Sequence, residues 1–205
     1  MASIYDIKPQ FQNFLRPIVS RLAKMGITPN QVTISAMLLS MVTGILIVFF
    51  HHDTFVFILI PIIMFVRMAL NAIDGMLAKE HQMKSKLGTI LNEVGDVFSD
   101  ACLFLPFAFI PGFSAVLISS IVVVSIISEM TGVLGVVIGA SRRYDGPMGK
   151  SDRAFIFGAL ALCVLFGLFN QLWITIILSV TLLLIIVNIF VRIHRSLKEV
   201  NEDGI

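Results

Sequence analysis

Charge is the scarcest commodity in this chain. Asp, Glu, Lys and Arg make up 14% of its 205 residues, against 57% hydrophobic residues and a mean hydropathy of +0.95. Soluble domains carry about 25% charged residues, so a water-soluble fold is excluded, and nothing in so sparsely charged a chain points to nucleic acid. Cysteine is nearly absent too. Cys102 and Cys163 fall in apolar stretches at no metal-like spacing, which excludes a disulfide framework and leaves two buried, inert thiols. No apolar run precedes Pro29, so no cleavable signal peptide is expected.

What remains is a set of long apolar segments. A helix crossing the hydrocarbon core needs roughly 20 mostly apolar residues. Six such spans are expected, at about 29–50, 54–79, 86–110, 113–141, 153–169 and 171–193. The fold class is therefore an all-α polytopic membrane protein. Its expected parts are an N-terminal segment 1–28, a six-helix domain 29–193 and a tail 194–205. Fourteen of the fifteen basic residues lie before the first span, between spans two and three, between four and five, or after the last. By the positive-inside rule both termini are expected in the cytoplasm. Arg67 is the exception. In segment 1–28, the apolar residues Ile4, Ile7, Phe11, Leu15, Ile18 and Leu22 recur every three or four positions among Lys and Arg. That period fits an amphipathic helix along the cytoplasmic membrane face.

The first span begins at Thr28-Pro29-Asn30-Gln31. Thr28 suits an N-cap, Pro29 suits N1, and Gln31 at N3 closes a capping box. Asn30 and Thr33 are left over on one face of the first turn, where spare N–H groups suit an anion or phosphate.

Function concentrates in the second and third spans. Asn71 and Asp74 are three apart, while Asn92, Asp96 and Asp100 step by four. Each set shares one helix face, and an ionised carboxylate at membrane depth is costly unless paired, metal-bound or wet. Two such faces on consecutive antiparallel helices enclose a cavity of carboxylate and amide oxygens, suited to Mg²⁺, Ca²⁺ or Mn²⁺. Buried pairs with Lys and Arg, holding helices together, would use the same residues. Gly75 and Gly88 remove side chains beside the cavity, and Lys79, Lys84 and Lys86 ring its mouth.

The run Asn71-x2-Asp74-Gly75-x2-Ala78-Lys79-x8-Gly88-x3-Asn92-x3-Asp96 resembles the signature of the CDP-alcohol phosphotransferases, D-x2-D-G-x2-A-R-x8-G-x3-D-x3-D, with every spacing kept. YDIKPQFQNFLRP and FVRMALNAIDGMLAKE resemble its YnbA-type branch from enteric bacteria. The resemblance implies an inner-membrane enzyme, commonly homodimeric, that moves a phosphatidyl group from CDP-diacylglycerol to a small alcohol such as glycerol 3-phosphate and releases CMP. It implies Mg²⁺ or Mn²⁺ on Asp74 and Asp96, with Asn71 and Asn92 where the family has bridging aspartates, and Asp96 as general base. Asn30, Thr33, Gly75, Ala78, Lys79, Ser85 and Gly88 would contact the CDP portion. Two departures stand out: both bridging aspartates are asparagines, and Lys79 replaces the usual arginine, losing its bidentate fork. A member that binds CDP-lipid without turnover is the alternative these departures raise. A small transporter would explain the spans and buried charges, but not the spacing of the signature.

A second charged layer is expected deeper. At about 1.5 Å per residue, Arg67, Asp100 and Glu129 all lie roughly 20 Å from the cytoplasmic ends of their helices, so Arg67 is expected to pair with Asp100 or Glu129. On the fourth span, Glu129, Gly132, Gly139 and Arg143 fall on one face, as in close helix packing. That face leads to RRYDGPMGKSDR at 142–153. There Arg142, Arg143 and Lys150 could receive an anionic acceptor or attract anionic lipid.

Overall fold

The computed structural model describes residues 4–168 and 170–203, with the side chains of 4–8 and 203 left aside. Seven α-helices and one short 3-10 segment account for the described secondary structure, and no strand occurs among the described residues. Helix α1 spans Ile4–Lys24, α2 Pro29–Phe50, α3 Thr54–Glu80, α4 Lys86–Phe104, α5 Ala115–Val137, α6 Lys150–Leu165 and α7 Gln171–Asp203. Four of them (α2, α3, α5 and α7) are long and apolar enough to cross a membrane. With apolar side chains such as Phe49, Val116 and Val137 about three-quarters exposed, this is a multi-pass membrane protein.

Helices α2, α4, α5 and α6 start where a side chain takes up an N–H group at the first turn. Thr28 caps α2 in a capping box: its Oγ1 accepts from the Gln31 N–H at 3.4 Å, and its own N–H donates to Gln31 Oε1 at 2.8 Å. Ser85 caps α4, accepting from the Gly88 N–H at 2.9 Å, and Ser114 caps α5. Helix α6 starts three residues before the expected span, because the Gly149 N–H donates to Asp152 Oδ2 at 2.9 Å.

Several ends differ from those expected. The third span tightens into a 3-10 turn, Leu105–Phe109, where Pro106 cannot continue an α-helical ladder. The fourth stops at Val137 rather than 141. Gly139 takes φ +94°, the Gly139 N–H returns to Val136 O, and the Ala140 N–H reaches Gly135 O. This double return closes the helix and takes Arg143 off the face it was expected to share with Glu129. Helix α6 ends the same way at Gly167 (φ +66°), so it covers 16 residues, and position 169, the expected span end, lies outside the described residues. Helix α7 does not stop at 193. It runs on through the expected tail to Asp203.

Two apolar cores hold the bundle. The larger centres on Phe104, Phe107 and Phe157, with the Phe104 and Phe157 rings stacked at 4.4 Å between centroids. Helix α2 lies directly on α4 here: a Cβ on Gly44 would meet the Cys102 carbonyl oxygen. The smaller core joins Leu15 and Val19 of α1 to Val32 of α2 and Ile73, Met76 and Leu77 of α3. The buried stripe of α1 thus runs through Phe11, Leu15, Val19 and Leu22, while Ile18 faces outward at 46% exposure. The side chains of Ile4 and Ile7 lie outside the described residues. Arg16 pairs with Glu80 at 3.2 Å, fastening α1 to the end of α3.

Candidate active site

Helices α3 and α4 bring their polar faces together. Asp74 and Asp96 are both buried, and Asn71 Nδ2 donates to Asp96 Oδ1 at 2.7 Å across the interface. Asp74 Oδ2 accepts from Thr33 Oγ1 of α2 at 2.8 Å. Thr33 therefore touches the carboxylate face, where the sequence suggested only an anion site. Asn92 is half-buried on the same face of α4. The other oxygen of Asp96, Oδ2, accepts from Lys150 Nζ, which arrives from the first residue of α6.

Beside this group, α2 meets the start of α4. Asn30 Oδ1 lies 2.7 Å from where a Cβ on Gly88 would stand, and Ser85 Oγ lies 2.9 Å from it. Only a glycine leaves this cradle its shape. A Cβ on Gly75 would meet nothing within 4 Å, so open space adjoins the α3 side of the site. Ala78 is half-buried, and Lys79, Lys84 and Lys86 are exposed around the α3–α4 connection.

One turn beyond Asp96 lies an ionic cluster. Arg67 donates to Asp100 Oδ1 through both terminal nitrogens, Nη1 at 2.8 Å. Arg153 Nη2 donates to Asp100 Oδ2 at 2.7 Å and to Glu129 Oε1 at 3.4 Å. Glu129 is shared further with Arg142 at 3.0 Å, Arg192 at 3.5 Å and Lys150 at 4.0 Å. A cavity of about 10 Å³ remains between Asp100, Ser125, Glu129 and Arg153, room for one water. Ser125 Oγ and Arg153 Nε, which have no protein partner, sit against it.

The three loop cations separate. Arg142 turns inward: Nε and Nη2 donate to Glu93 at 2.9 and 2.8 Å, and the guanidinium lies 4.4 Å from the centre of the Tyr144 ring. Burial works against its charge, but the hydrogen bonds and charges of Glu93 and then Glu129 win and raise its pKa. Gly132 makes room, since a Cβ there would collide with this guanidinium. Lys150 also turns inward, to Asp96. Arg143 turns away, onto Glu199 and the Arg195 carbonyl of α7.

Sequence reasoning missed Glu93, Arg153 and Arg192 as members of this cluster, having taken Arg153 and Arg192 as flanking charges only. A signal existed. Asn188, Arg192, Arg195 and Glu199 follow helical spacing on α7. All four hold the 138–149 connection: Asn188 on Pro147 O, Arg192 on Asp145 O at 3.3 Å, Arg195 on Asp145 Oδ2 at 2.6 Å, and Glu199 on the Ser141 N–H at 2.9 Å.

The profile of the CDP-alcohol phosphatidyltransferase family matches residues 26–187. The chain belongs to this family. It is 47% identical over 162 residues to the inner membrane protein YnbA of Escherichia coli, covering 79% of this chain and 80% of that protein. Archaetidylinositol phosphate synthase of Pyrococcus horikoshii is 35% identical over 102 residues, about half of each chain. Among solved structures, phosphatidylinositol phosphate synthase of Mycobacterium tuberculosis with CDP-DAG bound superposes with a TM-score of 0.72 at 18% identity, over 88% of this chain and 92% of that one. The same enzyme in complex with manganese and citrate gives 0.71 at 19% identity, over 88% and 87%. These likenesses place the fold of the family on this chain.

Among the described residues no three His, Cys, Asp or Glu side chains group as metal ligands. Asp74, Asp96 and the side-chain amides of Asn71 and Asn92 offer hard oxygen atoms, of which only those of the two aspartates carry charge, and Asn71 turns its Nδ2 to Asp96. Oxygen donors of this kind suit a divalent cation of the Mg²⁺ or Mn²⁺ type.

Proposed function

We propose that this protein transfers a phosphatidyl group from CDP-diacylglycerol to the hydroxyl of a small alcohol, as a step of phospholipid synthesis. The observation that carries this reading is Asp96. It is buried, oriented by the Asn71 amide, faces the α3–α4 interface with Asp74, and stands at the last position of the family signature.

In this reading the chain crosses the membrane six times with both termini in the cytoplasm, and α1 lies along the cytoplasmic face. The donor lipid enters sideways from the inner leaflet. Its CDP portion rests on Asn30, Thr33, Gly75, Ala78, Lys79, Ser85 and Gly88, where the Asn30–Gly88 cradle and the space beside Gly75 receive it. Asp74 and Asp96, with the amide oxygens of Asn71 and Asn92, hold the divalent ion, which when bound supplies charge stabilisation to the diphosphate. Asp96 takes the proton of the acceptor hydroxyl. The oxygen attacks the β-phosphorus, the bond to the α-phosphate bridging oxygen breaks, and CMP leaves. Asn71 and Lys150 orient the Asp96 carboxylate before the acceptor arrives. By family analogy the protein works as a homodimer.

A second reading has its own observation. Both oxygens of Asp96 are engaged, by Asn71 and Lys150, as in a site that binds CDP-lipid as a sensor or partner subunit without turning over. CMP release by the purified protein in mixed micelles, with CDP-diacylglycerol, Mg²⁺ or Mn²⁺ and a panel of alcohols, separates the two. Metal-dependent release that Asp96→Asn abolishes supports the transferase. Donor binding with no release under any metal or acceptor refutes it.

A further inference from the structure

We propose that the acceptor is an unphosphorylated alcohol, an inference that rests on the transferase reading and narrows its substrate. The interior beyond Asp96 already contains its own counter-charges. Five cations converge there: Arg67, Arg142, Lys150, Arg153 and Arg192. Each is committed to a carboxylate among Glu93, Asp96, Asp100 and Glu129. Asp74, buried on the α3 face that meets Asp96 and bonded to the neutral Thr33 hydroxyl, brings the carboxylates to five as well. The formal charge of the group is zero.

The guanidinium groups are also sterically committed. Arg142 spends Nε and Nη2 on Glu93 and Nη1 on the Arg143 carbonyl. Arg153 and Arg192 are 0% and 2% exposed, and each adds a backbone carbonyl to its carboxylates. No guanidinium fork is open to a phosphate, which binds best to such a fork. A phosphomonoester carries about −1.5 to −2 charge at pH 7. To seat it, a guanidinium would have to leave a carboxylate or carbonyl it now holds, and the added negative charge would find no spare cation in a group that is already neutral. Lys79, Lys84 and Lys86, which make no ion pair among the described residues, are exposed at the α3–α4 connection. They stand beside the Ser85–Gly88 turn, on the side of the proposed donor.

A neutral alcohol requires none of this. One divalent ion offsets the two negative charges of the donor diphosphate, and the acceptor adds nothing. Its reacting hydroxyl needs Asp96. Its other hydroxyls find neutral groups, such as the Asn92 amide.

The test compares glycerol and myo-inositol with their phosphomonoesters, in the CMP-release assay, using the full-length protein in mixed micelles. The expected result is a kcat/KM about 100-fold higher for an unphosphorylated acceptor, about 2.7 kcal/mol at the transition state. A phosphomonoester as the preferred acceptor overturns the inference and leaves the transferase reading standing. A second measurement does not depend on turnover: the melting temperature of the protein with millimolar inorganic phosphate or glycerol 3-phosphate. No shift is expected for the native chain, and a shift is expected in Glu93→Gln, which removes the carboxylate charge facing Arg142 Nε and Nη2. A shift in the native chain that disappears in Arg142→Gln overturns the self-compensated interior. Absence of CMP release with every acceptor refutes the transferase reading, and with it the assignment of an acceptor, while the melting curves still report whether the cluster binds phosphate.

Discussion

Replacing Asp100 with asparagine is expected to cost far more stability than replacing Arg67, although the two side chains are partners. Asp100 is one anion serving two cations: Oδ1 accepts from Arg67 and Oδ2 from Arg153. All three side chains are at most 6% exposed. Removing one member of a buried pair costs about 3–5 kcal/mol, because the other charge is left without compensation. Asp100→Asn leaves Arg67 with no carboxylate and Arg153 with only Glu129, at 3.4 Å, so the upper end of that range is expected. Arg67→Met leaves Asp100 still held by Arg153, so about 1.5–3 kcal/mol is expected, the value of a charged hydrogen bond. In the double variant the unmatched charge at Arg67 is gone, so the two effects are expected to fall short of their sum by about 1–2 kcal/mol. The assay is reversible unfolding in mixed detergent micelles, read by circular dichroism, for the four members of the cycle. Equal losses for the two single variants, or strict additivity, would refute the shared-anion account.

Gly44→Ala pushes a methyl group into the Cys102 carbonyl of the facing helix and is expected to destabilise by about 1–3 kcal/mol, measured in the same unfolding assay. Gly75→Ala meets nothing within 4 Å and is expected to gain up to about 1 kcal/mol of helix stability. If the CDP portion lies there, CMP release falls in this variant; unchanged release would remove Gly75 from the donor site. Thr33→Val deletes the hydroxyl 2.8 Å from Asp74 Oδ2 and is expected to cost about 1.5–3 kcal/mol. A melting temperature equal to that of the native chain would show that Asp74 is held by other groups.

The helices were legible because membrane-length apolar runs and caps are local signals. Thr28 and Gln31 form the capping box their spacing predicts, and the facing of Asn71 and Asp96 follows from two helical periods and an antiparallel connection. The helix ends were less legible. Gly139 and Gly167 sit among apolar residues that continue the hydropathy pattern, so only their positive φ reveals the stops. Arg142, Lys150 and Arg153 were harder still. A positive charge beside a span reads as an orientation signal, and sequence distance says nothing about whether a loop folds inward. The structure shows that it does, because the α5 stop at Gly139 and the grip of Asn188, Arg192 and Glu199 turn the connection back so that Arg142 meets Glu93 and Lys150 meets Asp96.

The asparagines gain a reason from this arrangement. An ionised carboxylate has only acceptors, so the atom that faces Asp96 Oδ1 at 2.7 Å must be a donor. The Asn71 amide nitrogen meets that need, and an aspartate at the same place would not unless a cation stood between the two. Lys150 completes the match on Oδ2. Asn71 and Lys150 therefore stabilise the Asp96 geometry with protein groups alone, where four facing carboxylates would repel one another until metal arrived. The consequence is a site whose shape is fixed before ions or substrate bind. In the proposed transferase the divalent ion would then serve the incoming diphosphate without being needed to hold the helices together. On that reading the low carboxylate count reflects a division of labour between protein cations and metal, compatible with the proposed base at Asp96.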